Sequence, residues 1–64
     1  MPLIEISHAP KSDNVDNEAV IAAVSNAYAE AAGVPIDKVW VLIQEYSRSN
    51  WGSGGRSLKA GDSQ

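Results

Sequence analysis

Apolar and polar residues alternate at the start of the chain: Ile4 and Ile6 fall on one side of an extended segment, with Leu3, Glu5 and Ser7 on the other. Successive strand side chains point to opposite faces, so this period of two predicts a short strand over residues 2–8. The pattern then changes. Ala9-Pro10-Lys11-Ser12-Asp13-Asn14 is a polar connector, and its Ser, Asp and Asn side chains can cap a helix by accepting from the unpaired amides of a first turn. From about Asp16 to Ala32, residues Val20, Ala23, Val24, Ala27, Tyr28 and Ala31 recur at helical spacing and predict an amphipathic helix with one apolar stripe. Asp16 and Glu18 place negative charge where the helix dipole favours it. Gly33 suits the residue after the last turn, and Pro35 follows where a helix cannot continue.

Residues 38–46 (KVWVLIQEY) predict a second strand. Val39, Val41 and Ile43 share one face with Glu45, while Trp40, Leu42, Gln44 and Tyr46 share the other. Apolar residues on both sides are the mark of a strand covered on both sides. One helix covers only one face of a two-stranded sheet, so the opposite face needs another subunit. The predicted class is α+β: a β-α-β unit with parallel strands and a right-handed crossover, its sheets completed by oligomerisation. The remaining stretch, SRSNWGSGGRSLKAGDSQ, reads as loop, with Trp51 set in a glycine-rich segment where so large an apolar side chain needs a pocket or a partner surface.

Length sharpens the expectation of an oligomer. Sixty-four residues make one domain at most, and a chain of this size buries only about 60% of its unfolded surface on folding alone. Disulfides, a metal or oligomerisation usually make up the deficit. There is no cysteine, and one histidine, His8, cannot build a zinc site by itself. A net charge of −3, with Lys11, Lys38, Arg48, Arg56 and Lys59 scattered, argues against nucleic acid as a partner. No apolar run approaches the roughly 20 residues of a membrane span, and the first residues lack the basic and apolar regions of a signal peptide. The expected location is the cytoplasm.

The usual catalytic constellations are missing. No cysteine nucleophile is present, one histidine gives little support to a Ser-His-Asp triad, GSGG lacks the lysine and following helix of a phosphate loop, and no carboxylate pair is fixed at catalytic separation. Pro2 remains. Removal of Met1, expected before so small a residue, leaves a secondary amine at the chain start. An ordinary α-amino group titrates at about 7.7–8.0, and burial or a nearby cation lowers that value. A desolvated Pro2 is therefore a base of matched strength near neutrality, with its direction set by the ring's fixed φ.

The Pro-initiated strand PLIEI, the helix ending in Gly33-Val34-Pro35, the strand VWVLIQE and the loop Asn50-Trp51-Gly52-Ser53-Gly54-Gly55 occur together across nearly the whole chain. In this arrangement the chain resembles the short subunits of the tautomerase superfamily, the 4-oxalocrotonate tautomerase group. The resemblance implies a β-α-β subunit that assembles as a homohexamer, a trimer of dimers. It also implies that Pro2 moves a proton between carbons of an enol acid and its keto form, with no cofactor or metal. Trp51 takes the place of the aromatic loop residue that walls the active site.

The chain departs from the group at the substrate clamp. Two arginines hold a dicarboxylate in the best-known members; this chain has Lys11 and Ser12 at the first of these places and Trp40 at the second. Lysine lacks the planar fork of arginine, and tryptophan cannot replace it, so efficient action on 4-oxalocrotonate itself is not expected. Lys11 offers a point charge, Arg48 and Arg56 flank the Trp51 loop, and Trp40 lines a more apolar pocket or packs at a subunit interface. The expected site is thus Pro2 as catalyst with Trp51, Lys11, Trp40 and Arg48 as substrate-binding residues. The expected partners are a small keto or enol acid and further copies of the chain. Two other readings follow from the same residues. One is a hydratase, dehalogenase or decarboxylase in which Pro2 acts as an acid; the lack of a carboxylate between Ser47 and Arg56 weighs against hydration. The other is a binding oligomer without catalysis.

Overall fold

The computed structural model describes residues 1–12 and 14–62; Asp13, one of the helix-cap candidates, lies outside them. The first strand, β1 (Leu3–His8), leads through α1 (Asn17–Ala32) to β2 (Trp40–Glu45). The two strands pair in parallel, from Leu3 opposite Trp40 to His8 opposite Glu45. Hydrogen bonds close the ladder at both ends: the Trp40 amide donates to the Pro2 carbonyl at 3.1 Å, and the Tyr46 amide donates to the His8 carbonyl at 2.9 Å. The predicted β-α-β unit is present, with β2 starting two residues later than expected because Ile36–Lys38 form a 3₁₀ turn.

The helix boundaries follow from local chemistry. Asp16 is the N-cap, its carboxylate accepting from the Ala19 amide at 3.1 Å, so the cap falls after the predicted Ser12–Asn14 stretch. Ser12 instead accepts from the Asn14 amide in the connector. At the other end Gly33 adopts φ 69°, the left-handed conformation that glycine takes without steric cost, and its amide donates to Ala29 at 2.9 Å.

The sheltered helix positions differ from the predicted stripe. Asn17, Val20, Val24, Ser25 and Ala29 are sheltered, whereas Ala23, Ala27 and Ala31 are exposed. Ser25 is buried to 8% exposure, and among the described residues no apolar side chain is buried. Alanine carries little apolar surface, so a row of alanines does not decide which side faces inward.

Beneath the helix, Ile4, Ile6, His8, Val41 and Ile43 are half-buried. The opposite face of the sheet is open, with Leu3 52%, Trp40 55% and Leu42 49% exposed. The segment after β2 corrects the expected loop. A 3₁₀ turn (Arg48–Asn50) precedes an antiparallel hairpin of β3 (Gly52–Ser53) and β4 (Arg56–Ser57), followed by a short helix, α2 (Leu58–Asp62). Gly54 and Gly55 have φ 65° and 86°, the paired positive values of the two-residue hairpin turn whose hand matches strand twist. Ser57 caps α2 by accepting from the Ala60 amide.

The molecule is extended, with a radius of gyration of 14.9 Å and dimensions of 44 × 23 × 15 Å. A compact domain of this length has a radius of about 11 Å.

Candidate active site

Pro2 stands immediately before β1, half-buried, with its carbonyl held by β2 at Trp40. Its position is therefore fixed relative to the sheet from its first hydrogen bond. Directly beyond it, Leu3 and Trp40 face each other across the strands on the open face. Met1 is 81% exposed, so the residue that must leave to free the amine is accessible.

The other predicted site residues gather elsewhere. Six residue steps separate Pro2 from His8, about 20 Å of strand, and the connections to Lys11, Arg48 and Trp51 all leave from that far end. Within one chain the structure brings Trp40 to Pro2 but not Trp51, Lys11 or Arg48. Parallel pairing is the reason: both strands start beside Pro2 and end at the opposite edge.

At that edge Trp51 meets Tyr46 edge-on, with ring centres 5.9 Å apart and planes at 80°. Tyr46 donates its hydroxyl proton to Gln44 Oε1 at 2.9 Å, tying the aromatic pair to the open face. An open depression of about 350 Å³ lies here, lined by Pro10, Glu45, Tyr46, Ser47 and Arg48. On the helix side Glu45 accepts from Asn17 Nδ2 at 3.1 Å and lies 3.5 Å from His8 Nε2. His8 thus packs between β1, β2 and α1, away from Pro2.

Arg48, expected to bind substrate, is engaged within the chain. Its Nε and Nη2 both donate to the Asp62 carboxylate, and Nη1 donates to the Ala9 carbonyl at 2.6 Å. Three of its five donors are thereby committed. Lys11 stands 3.9 Å from the same carboxylate. Asp62 was missed in the sequence because nothing local marks it as a partner of residues 14 and 51 positions away. This fork joins α2 to the connector after β1.

The hydrogen bonds from Arg48, reinforced by its charge and that of Lys11, hold the Asp62 carboxyl below its ordinary range against a smaller opposing effect of desolvation. The Arg48 guanidinium is raised by the same hydrogen bonds, again partly offset by desolvation. A carboxyl depressed on folding stabilises the folded state above its unfolded pKa of about 3.9 and loses that contribution as pH falls through the folded value. Acidification below this range is expected to release α2, with a change in Trp51 emission. Asp62→Asn should give the released signal at neutral pH and abolish the acid transition; an unchanged transition in that variant would contradict the role of Asp62.

The tautomerase enzyme family model matches residues 2–61, almost the whole chain. The chain belongs to the tautomerase family. As a member of this enzyme family it is an isomerase. The 2-hydroxymuconate tautomerase of Pseudomonas putida is 41% identical over 59 residues, spanning 92% of this chain and 94% of that protein. Among solved structures, TomN, a 4-oxalocrotonate tautomerase homologue in the tomaymycin biosynthetic pathway, superposes with a TM-score of 0.88 at 27% identity, covering 98% of this chain and 97% of TomN. A heterohexameric 4-oxalocrotonate tautomerase from Chloroflexus aurantiacus superposes with a TM-score of 0.81 at 30% identity, covering 92% and 95% of the two chains. The tautomerase fold thus accounts for β1, α1 and β2 and for the C-terminal hairpin segment. Among the described residues no cluster of side chains suited to hold a metal occurs, and no helix is long and apolar enough to cross a membrane.

Proposed function

We propose that this tautomerase interconverts the enol and keto forms of a 2-hydroxydienoate or related enol acid, with Pro2 as the general base once Met1 is removed. The observation that carries this reading is the placement of Pro2: half-buried at the head of β1, anchored through its carbonyl to β2 and bordered by Leu3 and Trp40. Apolar neighbours disfavour the ammonium form and favour a neutral amine.

In this reading the Pro2 nitrogen accepts the proton of the substrate's C2 hydroxyl. The O–H electron pair becomes the C2 carbonyl bond, and the enol π pair takes a proton at C3 or, through a conjugated diene, at C5. Pro2 returns the proton it removed, so nothing is consumed and no cofactor is required. Charge that develops on the enolate oxygen needs donors aimed at it. With Trp51, Lys11 and Arg48 reached from the far end of a strand about 20 Å long, in this reading the wall of the pocket around Pro2 comes from another copy. That requirement favours a homo-oligomer, and the family resemblance implies a hexamer built as a trimer of dimers.

The test compares processed protein with a form retaining Met1, each verified by intact mass. Retained Met1 converts the Pro2 nitrogen into an amide without a basic lone pair. Keto–enol turnover is expected to follow the processed fraction; equal turnover by the Met1-bearing form would overturn the proposal.

A further inference from the structure

The backbone and the side chain of Trp51 are held by different parts of the chain. Its carbonyl accepts from the Leu58 amide at 2.9 Å, and the next residue, Gly52, pairs with Ser57 across the hairpin. These contacts fix the main chain but not the side-chain torsions of the indole. The indole instead meets the ring of Tyr46, with centres 5.9 Å apart and planes at 80°. Aromatic rings attract edge to face at such separations.

Tyr46 belongs to the sheet rather than to the hairpin. Its amide donates to the His8 carbonyl at 2.9 Å, continuing the ladder one step past β2. Its hydroxyl donates to Gln44 Oε1, also at 2.9 Å. Residues two apart share one side of a strand, so this bond braces the ring along the strand end. Tyr46 is thus held at both ends, by its backbone and by its hydroxyl. It remains 42% exposed, so the contact contributes direction more than burial. Strands place side chains more precisely than loops do, and Tyr46 passes the rigidity of β2 to a side chain that its own segment leaves unaimed.

From this arrangement we infer that Tyr46 is a positioning residue: braced by Gln44, it aims the Trp51 indole and thereby shapes the wall that Trp51 gives to the Pro2 pocket of another copy. The inference rests on the proposed function and deepens it. Tyr46 acts through Trp51 and does not touch the substrate. A wall that meets substrate and transition state alike contributes uniform binding, which is read in KM rather than in kcat.

Kinetics are measured on phenylenolpyruvate or 2-hydroxymuconate, whichever the processed protein turns over faster. Tyr46→Leu is expected to raise KM about three- to tenfold, the size of an aromatic pair's contribution, with kcat nearly unchanged. The tryptophan band of the near-ultraviolet circular dichroism spectrum should weaken with it. Trp51→Ala should raise KM by itself, and adding Tyr46→Leu to it should raise KM no further, because the two act as one coupled pair. Tyr46→Phe keeps the ring and loses the brace, and should raise KM about twofold, the low end of the same contribution. It carries the test if Tyr46→Leu fails to fold. An unchanged KM in Trp51→Ala, in Tyr46→Leu or, failing that variant, in Tyr46→Phe would overturn the inference, as would a full second increase in the double variant. Pro2→Ala, measured alongside, separates the two readings. Lost turnover there with an unmoved KM in Tyr46→Leu leaves the base standing and removes Tyr46. Undiminished turnover in Pro2→Ala, or none of either compound by the unsubstituted protein, overturns both.

Discussion

Pro2→Ala is expected to lower kcat for enol–keto conversion by about a hundredfold to ten-thousandfold, the range that a positioned general base contributes. Alanine is small enough for Met1 still to be removed, so the variant keeps a free amine at the same place in the chain. What it loses is the ring, which fixes φ and thereby the direction of the lone pair. In the proposed mechanism the apolar contact that favours a neutral amine is lost with it. The fold should survive, because the hydrogen bond from the Trp40 amide to the carbonyl of residue 2 uses backbone alone. The change should therefore appear in kcat and leave the far-ultraviolet circular dichroism spectrum unaltered. Turnover equal to that of the unsubstituted protein would remove Pro2 from the mechanism.

Leu42→Asp is expected to have the largest effect on stability. Leu42 sits in the middle of the open face, 49% exposed, between Trp40 and Gln44 on the same side of β2. The isolated chain exposes 4782 Å², whereas a folded monomer of this mass exposes about 4,000 Å². The excess of about 800 Å² equals one partner's share of a standard protein interface. With no apolar side chain buried among the described residues, the proposed homo-oligomer would form its core on the open face, between copies. A leucine buried there contributes about 1.5–3 kcal/mol per subunit, and an aspartate in its place adds an unpaired charge. Sedimentation should show loss of the oligomer, and circular dichroism should show unfolding at the same time. An intact oligomer carrying Asp at position 42 would show that another surface makes the interface.

The strands and the helix end were legible because their signals are local. Alternation at Ile4–Ile6 and Val41–Ile43 sets which side chains share a face, and the observed register follows it. Gly33 and Pro35 mark the helix end by backbone conformation, which needs no tertiary contact to be read. Asp16 was legible as a favourable charge but not as the cap itself. The hairpin had a signal in Gly54-Gly55 that the two-residue strands around it were too short to reinforce. The inward side of α1 was ambiguous for a different reason: Ser25 is the most buried residue while three alanines of the proposed stripe are exposed. A small polar side chain is tolerated at a close helix approach, so hydrophobicity does not rank these positions.

For the candidate site, local and non-local information divide in the same way. Strand pairing sets Trp40 beside Pro2, its amide donating to the Pro2 carbonyl. The engagement of Arg48 and Lys11 with Asp62 depends on how α2 folds back onto the connector after β1, which no spacing encodes. The separation of Trp51 from Pro2 is a consequence of parallel topology. On the proposed function, the rest of the pocket around Pro2 then comes from another copy.

The central claim is that Pro2 carries a neutral, basic nitrogen at working pH. A pH titration of that nitrogen by NMR, on protein whose mass shows Met1 removed, tests it most directly. A Pro2 base should show a pKa below the roughly 7.7–8.0 of an ordinary α-amine, matching the lower inflection in the pH dependence of kcat/KM. A pKa at or above the ordinary value would contradict it and make Pro2 a proton donor or a bystander.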